Sequence, residues 1–362
     1  MRFVPLLAIT LFPNIALTEQ PAIAPQPRPV VFTAIESSLP TATNHIRQYA
    51  FDGDAATYFA TDRKPIKDDH ITLRFDEPVV CNAVQLQSGL PNGENSVAGK
   101  VVCEASADGK LFEPIEKFLV PRFAPNAGPG GGTRVGMKAL RFRFSDDLPH
   151  TLVIREIVLD TTPRVVRFRH PIEFTLDVSD APEMKEWGEK VVRVCERQYP
   201  SICDELASPG FVPPTQLRMT LKNDYAGVAA AGGGKITGSV KYFKSKPDDI
   251  GAMVHETVHC VQLYRGRNLP GWLVEGIADY YRFWRYEPGK AGRLTPERAR
   301  YDGSYRTTAA FLAFVSDKYD PNAVTKLNAA LRENKYDVGI WKTLTGKTVE
   351  ELNQEWRQSL VK

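Results

Sequence analysis

The stretch Asp248–Tyr281 reads DDIGAMVHETVHCVQLYRGRNLPGWLVEGIADYY, and it decides the fold of the second half of the chain. His255-Glu256-Thr257-Val258-His259 lies inside it. On an α-helix, residues four apart stand one turn above each other on the same face. His255 and His259 can therefore aim two imidazoles at one point, with Glu256 about 100° round the helix, beside that point. Two neutral nitrogen ligands and a carboxylate near the remaining position are what a hydrolytic zinc needs. Pro247 and the acidic pair Asp248 and Asp249 mark a helix start. Ile250, Met253, Val254, Thr257, Val258 and Val261 predict a core face away from the histidines. Gly266 and Pro270 read as the end of the helix.

A third ligand is required. Glu275 lies 16 residues beyond His259, after a Pro270-Gly271 turn, which leaves room for a loop and a second helix running back past the first. Asp279, four residues further on the same face, can accept the free N–H of a ligating histidine and fix its tautomer. Gly276 predicts a close approach between these two helices.

HETVHCVQ followed by LPGWLVEGIADYYRFW resembles the zinc peptidase-like family of plant and bacterial basic secretory proteins, of the gluzincin type. The resemblance runs from about Pro163 to the C-terminus. It implies a mainly helical, α+β zincin-type metallopeptidase domain acting on protein or peptide. It implies His255, His259 and Glu275 as zinc ligands, Glu256 as general base and Asp279 as the partner behind a ligand. The family's name does not fit the charge, since 46 basic residues face 43 acidic ones.

A chain of 362 residues predicts two domains. Its 43% hydrophobic and 25% charged residues are those of a globular protein with ample core. A net charge of +3 argues against an electrostatic nucleic-acid binder. No run after the N-terminus is long enough to span a membrane. Residues 1–18 read as a signal peptide: Arg2 gives the positive start, Val4 to Leu17 an apolar stretch, and Ala16-Leu17-Thr18 a cleavage context. This predicts a secreted, periplasmic or cell-surface protein. Residues 19–29 are rich in Pro and Ala and read as a disordered linker.

Residues 30–162 predict an all-β sandwich. HITLRF, AVQLQS, KVVCEAS, ALRFRF and IREIVLD are short alternating or β-branched runs. Turn signals such as Pro91-Asn92-Gly93 and Asp108-Gly109 separate them. Pro125–Thr133, PNAGPGGGT, reads as a mobile loop. AFDGDAATYFAT, SADGKLFEPI and IREIVLD resemble the discoidin domains, also called coagulation factor five/eight type C, a galactose-binding-like fold. The resemblance implies a structural calcium held by Asp52, the Asp54 backbone, Thr57 and Glu156, oxygen donors that suit a hard cation. A glycan ligand is a further expectation, with His45, Tyr49 and Tyr58 in the loops; packing against the second domain is the rival role.

Thr161-Thr162-Pro163 reads as the boundary, and 163–362 as the peptidase-like domain. Pro182 to Gln198 predicts a helix with Asp180 as its cap, and Gln216 to Leu221 a strand. The triple glycine Gly232 to Gly234 permits a turn in a segment that, in metallopeptidases of this type, supplies an edge strand beside the cleft. Tyr305 opens a later helix where related sequences place a tyrosine near the cleft, so its phenol is a candidate oxyanion donor; Tyr301 is the rival. Thr348 to Glu351 is a capping box. Of five cysteines, Cys81 with Cys103 and Cys195 with Cys203 are candidate pairs, and Cys260 reads as a buried thiol.

The reading that follows is an exported zinc metallopeptidase with an accessory domain. Its alternative is a carbohydrate-binding extracellular protein whose metallopeptidase-like half is not catalytic. A zinc hydrolase acting on another bond is a third option, since the ligand set alone does not choose the leaving group.

Overall fold

The computed structural model describes residues 30–361, apart from 98, 120–134, 267 and 304. The segments read as signal peptide and linker, and the Pro125–Thr133 tract, lie outside the described residues.

The first half is a curled antiparallel sheet. The strands of this half are β1 (Val30–Val31), β2 (Thr33–Ser37), β3 (Phe59–Ala60), β4 (His70–Ser88), β5 (Val101–Ser106), β6 (Glu113–Pro114), β7 (Met137–Phe144), β8 (Val153–Thr162) and β9 (Arg164–Val165), of which β1 and β9 form a separate two-stranded parallel sheet. The strand order is β3-β8-β4-β7-β5-β6, with β2 also on β4. HITLRF and AVQLQS are one strand of 19 residues, not two. Pro78 lies at its bend and has no N–H to give a ladder. The β4–β7 register shifts there, between Arg74 and Val79. Before the bend β4 pairs with β2 and β7; after it, β4 pairs with β8. One strand thus serves both faces of the curl, and Ile35, Ile71, Leu73, Leu140, Phe144 and Ile157 fill the space between at zero exposure.

The second half has a four-stranded sheet in the order β10-β11-β13-β12, with helices packed on it. Its elements are β10 (Glu173–Asp177), α1 (Lys185–Glu205), β11 (Gln216–Lys222), β12 (Ala229–Gly232), β13 (Lys235–Ser239), α2 (Val240–Ser245), α3 (Gly251–Gln262), α4 (Gly271–Tyr280), α5 (Tyr305–Lys318), α6 (Ala323–Arg332), α7 (Ile340–Thr345) and α8 (Val349–Ser359). Gly233 and Gly234, both at positive φ, make the two-residue turn that folds β12 back on β13. The capping box forms at Thr348 and Glu351.

Four local expectations are corrected. α1 starts after a 3₁₀ turn at Pro182–Met184, and Asp180 caps nothing; it accepts the Asn223 N–H at 2.8 Å instead. α3 stops at Gln262, because Leu263 turns left-handed at φ 43°. Gly276 faces α5 rather than α3: an added Cβ would overlap the Thr308 side chain. All five cysteines are free. Cys195 and Cys203 sit in one helix eight residues apart, about 12 Å of rise, beyond disulfide reach.

The halves have separate hydrophobic cores. Val165 and Phe168 still belong to the first, and Ile172 begins the second. Between them sits a buried polar junction. Arg47 donates to Glu173 at 2.7 Å, to Glu196 at 2.5 Å and to the Ile35 carbonyl at 3.1 Å. Thr41 adds a 2.7 Å bond to Glu173, and Gln48 accepts the Ile172 N–H at 2.8 Å.

Candidate metal centre

α3 carries His255, Glu256 and His259, and α4 returns across it with Glu275 and Asp279. The two imidazole Nε2 atoms lie 3.0 Å apart, and Glu275 Oε2 lies 3.2 Å from each. The edge of a tetrahedral site with metal–ligand distances of about 2.0–2.1 Å is about 3.3 Å. The triangle therefore has the size of three corners of a zinc site.

The outer nitrogens fix the ring tautomers. Asp279 Oδ1 lies 2.7 Å from His255 Nδ1, and Gln262 Oε1 lies 2.7 Å from His259 Nδ1. Both partners are acceptors, so each Nδ1 carries the proton and each Nε2 turns a lone pair inward. Two lone pairs and a carboxylate then face one point, an arrangement that calls for a cation. The electrostatics agree. Burial works against charge on His255, but the hydrogen bonds it can donate to the Asp279 and Glu275 carboxylates outweigh it and push the imidazole up to about 9. Burial also opposes the charge on Glu275, yet His255 and His259 hold it down at about 2. Protons crowd where a metal would stand.

Glu256 is buried beside this triangle. Burial raises its pKa, partly offset by the two histidines and by the Ala231 backbone N–H. That N–H belongs to β12, the outer strand of the sheet, which lines the same cleft. The cleft holds about 900 Å³ and also exposes Tyr305 and Arg306. Tyr305 stacks on His255 with ring centroids 6.1 Å apart, and its backbone is left-handed at φ 40°. A tyrosine pays a steric cost for that conformation, and such costs gather at functional sites. Tyr301 is elsewhere, against Trp272 and Phe311. Cys260 is buried, its thiol pushed up to about 12 by desolvation.

Gln262 is the residue that the sequence reading missed. Its amide oxygen meets His259, and its amide nitrogen donates to the Val274 carbonyl at 2.9 Å. It thereby ties His259 to the residue preceding Glu275. The spacing offered a signal: Gln262 is three residues after His259, one turn along the same face.

In the first half, Asp52, Asp54, Thr57 and Glu156 come together. Thr57 Oγ1 lies 2.7 Å from Asp52 Oδ2 and 3.0 Å from the Asp54 carbonyl. Glu156 Oε2 accepts the Gly53 N–H at 2.9 Å, while its Oε1 is buried with no partner. Burial raises the pKa of both Asp52 and Glu156. His45 and Tyr58 stack on one another at 4.1 Å.

Among solved structures, the N-terminal region is similar to CBM32-1 from a family 31 glycoside hydrolase of Clostridium perfringens, at 12% identity, 35% of this chain, 92% of that one and a TM-score of 0.26. The CBM32-1 and CBM32-2 domains of Clostridium perfringens ZmpB match at 16% identity over 35% of this chain and 33% of theirs, with a TM-score of 0.28. A pectin-binding carbohydrate-binding module matches at 20% identity over 35% and 88%, with a TM-score of 0.25. No curated protein matches the chain. The family model BSP, described as peptidase of plants and bacteria, matches residues 181–356, which span α3, α4 and the whole metal centre. Residues 181–356, just under half of the chain, thus fit the BSP family, described as peptidase of plants and bacteria.

Proposed function

We propose that the chain is an exported zinc metallopeptidase. The observation that carries this reading is the inward triangle of His255, His259 and Glu275, each imidazole locked by a partner behind it. The donor set, two nitrogens and a carboxylate at tetrahedral spacing, fits zinc. When bound, zinc supplies Lewis-acid polarisation of the scissile carbonyl and lowers the pKa of water.

The rest falls to the chain itself. β12 presents an open edge, so an extended peptide can add to it and lie across the cleft. Glu256, buried and beside the triangle, takes the proton of the attacking water and returns it to the leaving amine. The Tyr305 phenol, on the open side of His255, donates to the oxygen that gains charge. Glu256→Gln should keep its zinc and lose hydrolysis of a denatured protein substrate. Hydrolysis at the wild-type rate in that variant would end the proposal.

The β-rich half, residues 30–162, serves as an accessory domain that binds glycan and brings the peptidase half to a glycosylated target. A calcium held by Asp52, the Asp54 carbonyl, Thr57 and Glu156 would stiffen its loop. The orphaned Glu156 Oε1 supports that site.

A further inference from the structure

The cleft that holds His255, His259 and Glu275 runs on past them. Asp249, Arg282 and Arg306 line both that cleft and a second pocket of about 400 Å³. A peptide in the cleft thus has a side pocket open to it.

The charges lining the two pockets are matched, with one exception. Asp249 accepts from the Tyr242 phenol at 2.6 Å and pairs with Arg282. Arg282 also donates to Glu287 at 2.7 Å, and Lys290 reaches the other Glu287 oxygen at 3.0 Å. Glu275 and Asp279 face the imidazoles, and Glu256 lies beside them. Lys246 and Asp248, both exposed, stand together at the second pocket and balance in charge. Arg306 is left over. It is exposed, and among the described residues it enters no ion pair. Its guanidinium lies over the buried ring of Phe283, 4.6 Å from the ring centre.

The position of this arginine works against its own helix. Arg306 is the second residue of α5, and no acidic residue shares the first turn. The free N–H groups of a helix start carry partial positive charge, so a cation there opposes the helix. Residues that break a local rule in this way gather at functional sites. The contact with Phe283 steadies the guanidinium and leaves N–H donors for an anion. The preceding residue, Tyr305, is the one that stacks on His255, so the unmatched charge stands beside the candidate reaction centre.

We propose that Arg306 selects the substrate: its guanidinium binds a carboxylate of the peptide in the cleft, carried by an Asp or Glu side chain or by the peptide's C-terminus. The proposal rests on the peptidase reading and names a specificity determinant for it. A peptide library digested by the zinc-loaded full chain should show either Asp and Glu enriched at one position near the cut, or cuts at a fixed distance from a free C-terminus. Peptides that differ only in that group, as carboxylate or amide, should differ in kcat/KM by about three- to tenfold, the worth of an exposed charge-assisted contact. The gap should narrow in high salt. The same contrast should appear as affinity when the Glu256→Gln chain binds the two peptides. Arg306→Gln should abolish the difference in both measurements. Arg306→Glu should reverse it in favour of a Lys peptide, which loss of a merely structural arginine would not do. Amidating the C-terminus separates the two sources: a preference that persists belongs to a side chain, and one that vanishes belongs to the chain end. Equal handling of carboxylate and amide by the wild type, or a preference that survives Arg306→Gln, would overturn the proposal and leave the peptidase reading standing. Failure of the zinc-loaded wild type to cut any peptide would overturn the two together.

Discussion

Gln262 and Val274 are joined by a 2.9 Å hydrogen bond that crosses from the end of α3 to the middle of α4. The same amide holds His259 with its other end. One side chain thus sets the orientation of His259 on the first helix and the position of the second helix one residue before Glu275. Partners of this kind behind a metal ligand are worth about 10- to 100-fold in affinity.

Gln262→Ala should therefore lower zinc affinity by about that factor, read by competition with a chromogenic chelator. Gln262→Glu keeps an acceptor for His259 but puts a carboxylate oxygen against the Val274 carbonyl, so it should fall between. Equal zinc affinity in the alanine variant would show that the bridge does nothing for the site.

Tyr305→Phe keeps the ring on His255 and removes the phenol. We expect kcat to fall about 10- to 100-fold with little change in KM, because the donor acts only as charge develops. Zinc content should be unchanged. A rise in KM at constant kcat would make Tyr305 a substrate contact rather than an oxyanion donor.

Arg47 is the cation of the junction between the halves. Arg47→Met leaves Glu173 buried without its counter-charge, although Arg193 still pairs with Glu196. Removing one partner of a buried pair costs about 3–5 kcal/mol. The lower end is expected, measured as a shifted urea midpoint. A change below about 1 kcal/mol would mean that water reaches the junction readily.

Acid should weaken the first half through Asp69. Burial opposes its charge, but Arg63, the Ile66 N–H and Ser38 together hold its pKa below the ordinary 3.8. A depressed folded pKa contributes stability above the unfolded value and loses it as pH falls through the folded one. The stability gap between wild type and Asp69→Asn should thus be full near pH 6 and shrink below about pH 4. A gap independent of pH across that window would refute this assignment.

The convergence of His255, His259 and Glu275 was legible because its signal is local. HExxH needs only helical spacing, and Glu275 and Asp279 needed only a turn and a second helix. Gln262 escaped because its role depends on where the Val274 carbonyl lands, which is a matter of tertiary packing. The strands of the first half were mostly visible as alternating runs, yet HITLRF and AVQLQS looked separate because Asp76-Glu77-Pro78 reads as a turn. A bent strand and a turn share the same local chemistry; only the partner strands distinguish them. The register shift of β4 on β8, where Gln87 pairs with Glu156 but Ser88 with Ile154, left no mark in the sequence, since register is a property of two strands together. Gly276 was correctly read as a close approach but assigned to the wrong neighbour, because a glycine does not say which helix it meets.

The two hydrophobic cores meet a polar junction of Arg47, Glu173, Glu196, Thr41 and Gln48, so heating is expected to encounter two cooperative units rather than one. Zinc bound between α3 and α4 would stiffen only the unit that holds it. A chelator would then separate melting steps that overlap in the loaded protein, and the β-rich half could stay folded while its neighbour is already lost.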